Sequence, residues 1–228
     1  MSKLWINEEL WIASDTHFGH ARILEKEPSR ITTMHQEGEE GDVFEWMLRR
    51  WNRSITPKEP LLHLGDVAGK EGRAYLGRLH GEKHLLLGNH DLKNLPMLQE
   101  AGFLIHTGIK LYIPQEEEIL ESLKRRFSSK RLKEERYLHA IVADLGMERI
   151  LFSHLPVFDI NPFDHRYESS KRVLEALYEE AHCTLNIHGH THSYDTPNSF
   201  CLNASWEKSE MRPMRLRELL FRFRNKSI

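Results

Sequence analysis

Short apolar runs punctuate the chain at residues 10–13, 61–64, 84–87, 150–152 and 184–187. Each is too short for a stable helix and reads as a buried strand. Each gives way at once to small or polar residues: Ser14-Asp15, Gly65-Asp66, Gly88-Asn89, Ser153-His154 and Gly189-His190. Between these runs the apolar spacing turns helical. Val43, Phe44, Met47, Leu48 and Trp51 fall on one face, as do Val173, Leu174, Leu177 and Tyr178, in a segment whose expected cap is Ser169 or Ser170. Residues 200–204 and 211–216 read as two further strands, and 216–223 as a closing amphipathic helix. Strands alternating with helices predict a layered α/β fold. No repeat and no Gly/Ser linker divides residues 1–228, so one domain is expected.

Residues 115–149 break this rhythm, being highly charged and rich in helix formers, and read as a helical insert. Within 124–136, seven basic residues (Lys124, Arg125, Arg126, Lys130, Arg131, Lys133 and Arg136) outnumber two acidic ones, Glu134 and Glu135. Ser128-Ser129 marks a break between two helices. Such a segment is either a solvated hairpin or a basic arm for an extended phosphate-containing substrate. Residues 37–45 carry the opposite sign and read as a surface loop entering a helix.

Composition excludes several classes. With 39% hydrophobic and 29% charged residues the chain is not disordered, and a net charge of −2 does not suit a bulk polycation. No apolar run approaches the roughly 18–20 residues of a membrane span, and the first residues lack the pattern of a secretory leader. Cys183 and Cys201 form no CxxC pair, so free thiols in a cytoplasmic protein are expected. Histidine, by contrast, is abundant at 15 of 228 residues.

The histidines gather where the strands end. The strand-end blocks are Asp15-Thr16-His17, Gly65-Asp66, Gly88-Asn89-His90-Asp91, Ser153-His154 and Gly189-His190-Thr191-His192. Loops leaving the carboxyl ends of strands are where ligands bind in layered α/β folds. Asp, Asn and His supply oxygen and nitrogen donors for borderline divalent metals. Residues two apart on extended chain point the same way, so Asp15 with His17, and His190 with His192, can reach one ion.

The ordered set D-x-H, G-D, G-N-H-D, a lone His after a strand, and G-H-x-H resembles the calcineurin-like metallophosphoesterase superfamily. The blocks run from Asp15 to His192, most of the chain. The opening Ser14-Asp15-Thr16-His17-Phe18-Gly19-His20 is similar to a bacterial and phage subgroup, as are Trp51-Asn52, Leu64-Gly65-Asp66-Val67, Cys201-Leu202-Asn203-Ala204 and Arg212-Pro213-Met214. The resemblance implies a four-layer αββα sandwich with a two-metal site at the strand ends. It implies one ion on Asp15, His17 and His192, a second on Asn89, His154 and His190, and Asp66 shared between them. It also implies hydrolysis of P–O bonds by a metal-activated hydroxide. His90 is then the candidate proton donor to the leaving oxygen, and Asp91 the group that orients its imidazole. His20, part of that opening, is a candidate either for a substrate contact or for a helix cap.

Four imidazoles among seven ligands disfavour Ca²⁺ or Mg²⁺ as sole ions. Two Mn²⁺ ions are expected, with Fe, Zn²⁺ or Ni²⁺ also suited. The expected substrate is a phosphodiester of the nucleotide or nucleic-acid type; a phosphomonoesterase, a pyrophosphohydrolase and a non-catalytic protein-binding scaffold are the alternatives. No membrane partner is expected. His63, inside its strand, suggests core packing or support of a ligand, and His188 should face away from His190. His35, His80, His84, His106, His139, His165 and His182 carry no motif and read as structural, as do the five tryptophans.

Overall fold

The computed structural model describes residues 4–159 and 165–226. The first half runs β1 (Trp11–Ala13), α1 (Arg22–Lys26), α2 (Ser29–Gln36), α3 (Val43–Ser54), β2 (Pro60–His63), α4 (Arg73–Leu76), β3 (Glu82–Leu86), α5 (Leu95–Glu100) and β4 (Leu104–His106). The second runs β5 (Gly108–Tyr112), α6 (Glu116–Phe127), α7 (Ser129–Glu134), β6 (His139–Leu145), β7 (Glu148–Ser153), α8 (Glu168–Glu180), β8 (Leu185–His188), β9 (Cys201–Asn203), β10 (Met214–Arg215) and α9 (Leu216–Lys226). Two mixed sheets result, ordered β10-β1-β2-β3-β4 and β5-β6-β7-β8-β9. In the first, β1 to β4 are parallel and β10 joins antiparallel. In the second, only the β6–β7 pair is antiparallel.

The period-two alternation of strand side chains explains the layering. On the first sheet, Trp11, Ala13, Leu61 and Leu85 face a cluster shared with α2, α3 and α5, through Met34, Trp46, Met47, Trp51 and Leu98. Their neighbours Ile12, Leu62 and Leu86 face the other way, meeting Ile141, Ile150, Phe152, Leu185 and Ile187 of the second sheet. The second sheet's outer face, including Ala140, Val142 and Leu151, packs on Leu123 of α6 and on Val173, Leu174 and Leu177 of α8. Helices thus cover the outer face of each sheet, and each fully buried Leu, Ile or Phe contributes about 1.5–3 kcal/mol. Helix α3 is capped as its sequence suggests: the Asp42 carboxylate accepts the Phe44 amide at 2.8 Å. No helix among the described residues is long and apolar enough to cross a membrane.

The charged segment 115–149 is divided by the structure. Its helical part is α6 and α7, with the break at Ser128, whose hydroxyl caps α7 by accepting the Arg131 amide. Residues 139–145, however, form β6, an interior strand of the second sheet. Ala140, Ile141 and Val142 are fully buried there, and charge on both sides hides this short run in the sequence. The expected strand at 211–216 shrinks to Met214–Arg215. Helix α8 is not capped by Ser169 or Ser170; both hydroxyls instead donate to the Glu135 carboxylate after α7, tying the hairpin to α8. Both cysteines are free thiols, Cys183 buried and Cys201 half-buried.

Candidate metal centre

Five loops meet at the carboxyl ends of β1, β2 and β3 in one sheet and of β7 and β8 in the other. Their backbones are held in unusual shapes. Asp15, His17, Asp66, His190 and His192 all adopt left-handed conformations, with φ of 54°, 48°, 58°, 71° and 50°. Non-glycine residues rarely do so, and such strain persists only where surrounding contacts overdetermine it.

Those contacts are visible. The fully buried Arg30 of α2 donates to the carbonyls of Asp15 and Thr16, each at 2.7 Å, and to the Glu207 carboxylate through Nε at 2.7 Å. Asp15 and His17 donate their amides to the carbonyls of Gly65 and Asp66, both at 3.0 Å. His63 Nδ1 accepts the Gly65 amide at 3.1 Å, which places its ring proton on Nε2, 3.1 Å from Thr16 Oγ1. The Thr16 hydroxyl in turn donates to the Val67 carbonyl. His63 therefore supports the loops, and burial pushes its pKa down to about 3. Glycine is required where loops touch: a Cβ on Gly88 would collide with Asp66, and one on Gly189 with Ser14 Oγ and Asp15 Oδ2.

This bracing leaves one oxygen of Asp15 and one of Asp66 without a hydrogen bond. Asp15 Oδ2 accepts from the Ser14 hydroxyl at 2.6 Å, the His190 amide at 2.9 Å and the Ser205 hydroxyl at 3.1 Å. Its Oδ1 has no hydrogen-bond partner and lies 3.9 Å from His17 Nε2 and 3.7 Å from His192 Nε2. Asp66 Oδ1 accepts the His90 amide at 2.8 Å. Its Oδ2 sits 3.6 Å from His17 Nε2, 3.6 Å from His154 Nε2 and 3.9 Å from His90 Nε2.

The imidazoles are oriented to match. His154 Nδ1 donates to the Leu64 carbonyl at 2.9 Å, so its Nε2 lone pair turns inward, 3.0 Å from Asn89 Oδ1. Two acceptors facing each other are mutually repulsive unless a cation joins them. His192 Nδ1 faces Glu207 Oε2 at 3.3 Å, the carboxylate–histidine arrangement that orients a metal-ligating ring. Both ring nitrogens of His17 are buried without a hydrogen-bond partner. The acceptor nitrogen of that ring, orphaned like Asp15 Oδ1, fits a cation that completes it. Two groups have donor atoms mutually close enough to share an ion: Asp15, His17 and His192, and Asp15, Asp66 and His154.

Electrostatics are correspondingly distorted. Burial pushes His17 well below the ordinary imidazole range, His190 to about 3 and His90 to about 4. For His192 burial acts downward too, but the Glu207 hydrogen bond and the charges of Asp15 and Glu207 overcome it and raise the ring to about 8. Burial, reinforced by Asp91 and Asp15, holds Asp66 well above the usual carboxylate range. Asp15 goes the other way: burial opposes its ionisation, but His192, His154, His17 and the Ser14 hydroxyl outweigh it and lower its pKa.

The structure brings most of the sequence-predicted residues together. His190 stands at the edge, its ring 5.1 Å from that of His154 and 5.5 Å from that of Tyr167. It belongs to neither close-packed donor group. His20 lies at the rim, its ring 5.5 Å from that of His17. His188 turns away and donates through Nδ1 to the Gly189 carbonyl. Asp91 departs from expectation. Its carboxylate accepts the amides of Asp66, Val67 and Gly88 at 2.7, 2.9 and 2.8 Å, locking two loops rather than orienting His90. Arg30, Glu207 and Ser205 lie outside every motif, and nothing in the sequence marks them.

No family model matches the chain. Its sequence is 26% identical over 190 residues to the gene 66 protein of Mycobacterium phage D29, covering 81% of this chain and 78% of that one. A similar likeness, 26% over 190 residues, joins it to the gene 66 protein of Mycobacterium phage L5. An uncharacterised protein of Methanocaldococcus jannaschii is 29% identical over 91 residues, covering 36% of this chain and 47% of that one. Among solved structures, a protein of unknown function from Aquifex aeolicus superposes with a TM-score of 0.60 at 23% identity, covering 96% of this chain and 98% of that one. That likeness establishes a shared fold.

Proposed function

We propose that the chain is a binuclear metallophosphoesterase of the calcineurin-like type. One observation carries the reading: two buried carboxylates, each tied by one oxygen, aim the other at the Nε2 atoms of His17, His154 and His192, and that of His17 is buried with no hydrogen-bond partner. A shared Asp66 suits two dications about 3.5–4 Å apart, since it lowers their mutual repulsion. In this reading Asp15, His17 and His192 hold one ion, Asn89, His154 and His190 the other, and Asp66 both. When bound, the ions supply an activated nucleophile and neutralise charge on the phosphoryl oxygens. Mn²⁺ is the proposed ion, with Fe, Zn²⁺ or Ni²⁺ as substitutes.

The chain's own groups then have distinct tasks. The second carboxylate oxygens of Asp15 and Asp66, held by hydrogen bonds, fix the cluster without reorganisation. Glu207 holds the His192 ring with Nε2 inward, where a bound cation would take the place of its proton. His90 stands at the mouth with a partly exposed, neutral ring at pH 7. Its N–H is available to a phosphoryl or leaving oxygen, as a hydrogen-bond donor that favours the transition state over the ground state. Its low pKa argues against a standing imidazolium acid. The proposed substrate is a phosphodiester of the nucleotide or nucleic-acid type.

The test is to strip the protein of metal, restore Mn²⁺, and assay a chromogenic phosphodiester beside the matching monoester. His90→Ala and Asp66→Ala are run in parallel. Mn²⁺-dependent diester turnover, lost or greatly reduced in both variants, supports the reading. Monoester preference replaces it with a phosphatase. Metal binding without turnover of either ester supports a scaffold of the same fold.

A further inference from the structure

Beyond His90 the wall of the centre carries exposed basic side chains. The His20 ring lies 6.0 Å from that of His90, so these two imidazoles extend the cluster outward to the rim. Helix α1 starts at Arg22, two residues past His20, whose carbonyl accepts the Ile23 amide at 2.9 Å, and it sets Arg22 and Lys26 one turn apart on one side. Past His90, the Asn94 side-chain amide donates to the Ala68 carbonyl at 2.9 Å and pins the short 3-10 turn Leu92–Asn94, which carries Lys93. Arg22, Lys26 and Lys93 are all exposed. The charges of all three act on the His20 imidazole, and those of Lys26 and Lys93 also act on His90.

None of these three side chains forms an ion pair or hydrogen bond among the described residues. Many basic side chains elsewhere are matched, as Arg49 is to Glu39, Arg73 to Glu100, Arg149 to Asp144 and Arg215 to Glu59, and others, such as Arg53 and Lys58, are not. What sets Arg22, Lys26 and Lys93 apart is their place beside His20 and His90. The basic hairpin α6–α7 is also partly engaged. Lys124 pairs with Glu121, Arg126 lies beside Glu179 and Glu180, and Arg131 donates to Ser169. Three unmatched cations beside a centre built for divalent cations repel it and one another, and added negative charge relieves that repulsion. A single phosphoryl group seated among Asp15, Asp66 and the imidazoles leaves the outer cations unmet.

We propose that Arg22, Lys26 and Lys93 form a subsite for a second phosphoryl group of the substrate, on the His20–His90 side of the group seated at the His17–Asp66–His154 cluster. The proposal rests on the phosphoesterase reading and narrows it. The substrate carries at least two phosphoryl groups, as a polynucleotide or a nucleotide with a further terminal phosphate does.

The experiment measures affinity rather than turnover. Adenosine 3′,5′-bisphosphate and adenosine 5′-monophosphate are titrated calorimetrically into the Mn²⁺-loaded protein, its Lys26→Gln/Lys93→Gln double variant and a Lys130→Gln control on α7. The bisphosphate should bind wild type at least tenfold more tightly than the monophosphate, with the ratio shrinking as salt rises. The double variant should bring the ratio within twofold, with an unchanged circular dichroism spectrum, and Lys130→Gln should leave it intact. Equal wild-type affinities, no binding of either nucleotide, an undiminished ratio in the double variant, or the same collapse in Lys130→Gln overturns the subsite. A preserved preference without hydrolysis of any ester rejects the enzyme reading alone, and hydrolysis without the preference rejects the subsite alone.

Discussion

Arg30 offers the most quantitative test of how the centre is held. Its guanidinium is fully buried and joins α2 to the left-handed backbone at Asp15 and to Glu207, whose side chain is only 3% exposed. Replacing it with Met keeps much of the stem's apolar volume but strands Glu207 Oε1, leaving His192 as that carboxylate's remaining partner, and two buried carbonyls. Removing one partner of a buried ion pair costs about 3–5 kcal/mol. A domain of this size loses about 2–4 °C per kcal/mol, so the melting temperature should fall by about 6–20 °C. Urea denaturation of the metal-free protein reads the free energy, and a thermal melt reads the shift. Adding Glu207→Leu removes the stranded charge, so the double variant should regain about 1–3 kcal/mol over Arg30→Met. The two carbonyls stay unsatisfied, so recovery is incomplete. An Arg30→Met cost below about 1 kcal/mol would refute the reasoning, since it lies below the usual penalty for a stranded buried charge. A double variant less stable than Arg30→Met would do the same.

Further predictions concern the site, the loops and the core. Glu207→Gln should weaken metal binding about 10–100-fold while Asp15 and His17 stay in place, as loss of a ring-orienting carboxylate does; metal titration against a chelator reads it. Gly189→Ala should lower stability and metal affinity together, because its methyl collides with Ser14 and Asp15; urea and metal titrations showing no change would contradict that fit. His84 Nδ1 and His106 Nε2 share a hydrogen bond at 2.8 Å, and burial lowers both rings, His106 to about 4. Their folded values lie below the unfolded one, so the neutral pair stabilises the fold above pH about 6.5, and that contribution is lost as pH falls toward 4. His106→Gln should therefore flatten the pH dependence of the urea midpoint between pH 7 and 4, whereas an unchanged slope would exclude this pair as a source.

Much of the centre is legible in the sequence because each of its strands is a short apolar run that ends in Asp, Asn, Gly or His. The strands β1, β2, β3, β7 and β8 stand out for that reason. Strands β4, β5 and β6 do not. Leu104 and Ile105 are only half-buried, β5 mixes Lys110 with apolar residues, and β6 is a buried run between charged stretches. Adjacency misleads at Asp91, whose carboxylate turns to three backbone amides instead of to His90. Arg30 and Glu207 are 177 residues apart, and only the folded chain shows that they meet. The rim cations Arg22, Lys26 and Lys93 are ordinary surface residues in the sequence; their lack of partners is a property of the fold.

The central claim is that Asp15, Asp66 and the converging imidazoles were shaped by metal. The most direct measurement is the Mn²⁺ stoichiometry of the chelator-stripped protein, read by equilibrium dialysis with elemental analysis, for wild type and Asp66→Asn. The account predicts two ions per wild-type chain and at most one, more weakly held, in Asp66→Asn, with the circular dichroism spectrum preserved. Wild-type protein that binds no ion, or an Asp66→Asn variant that binds two with unchanged affinity, would contradict it.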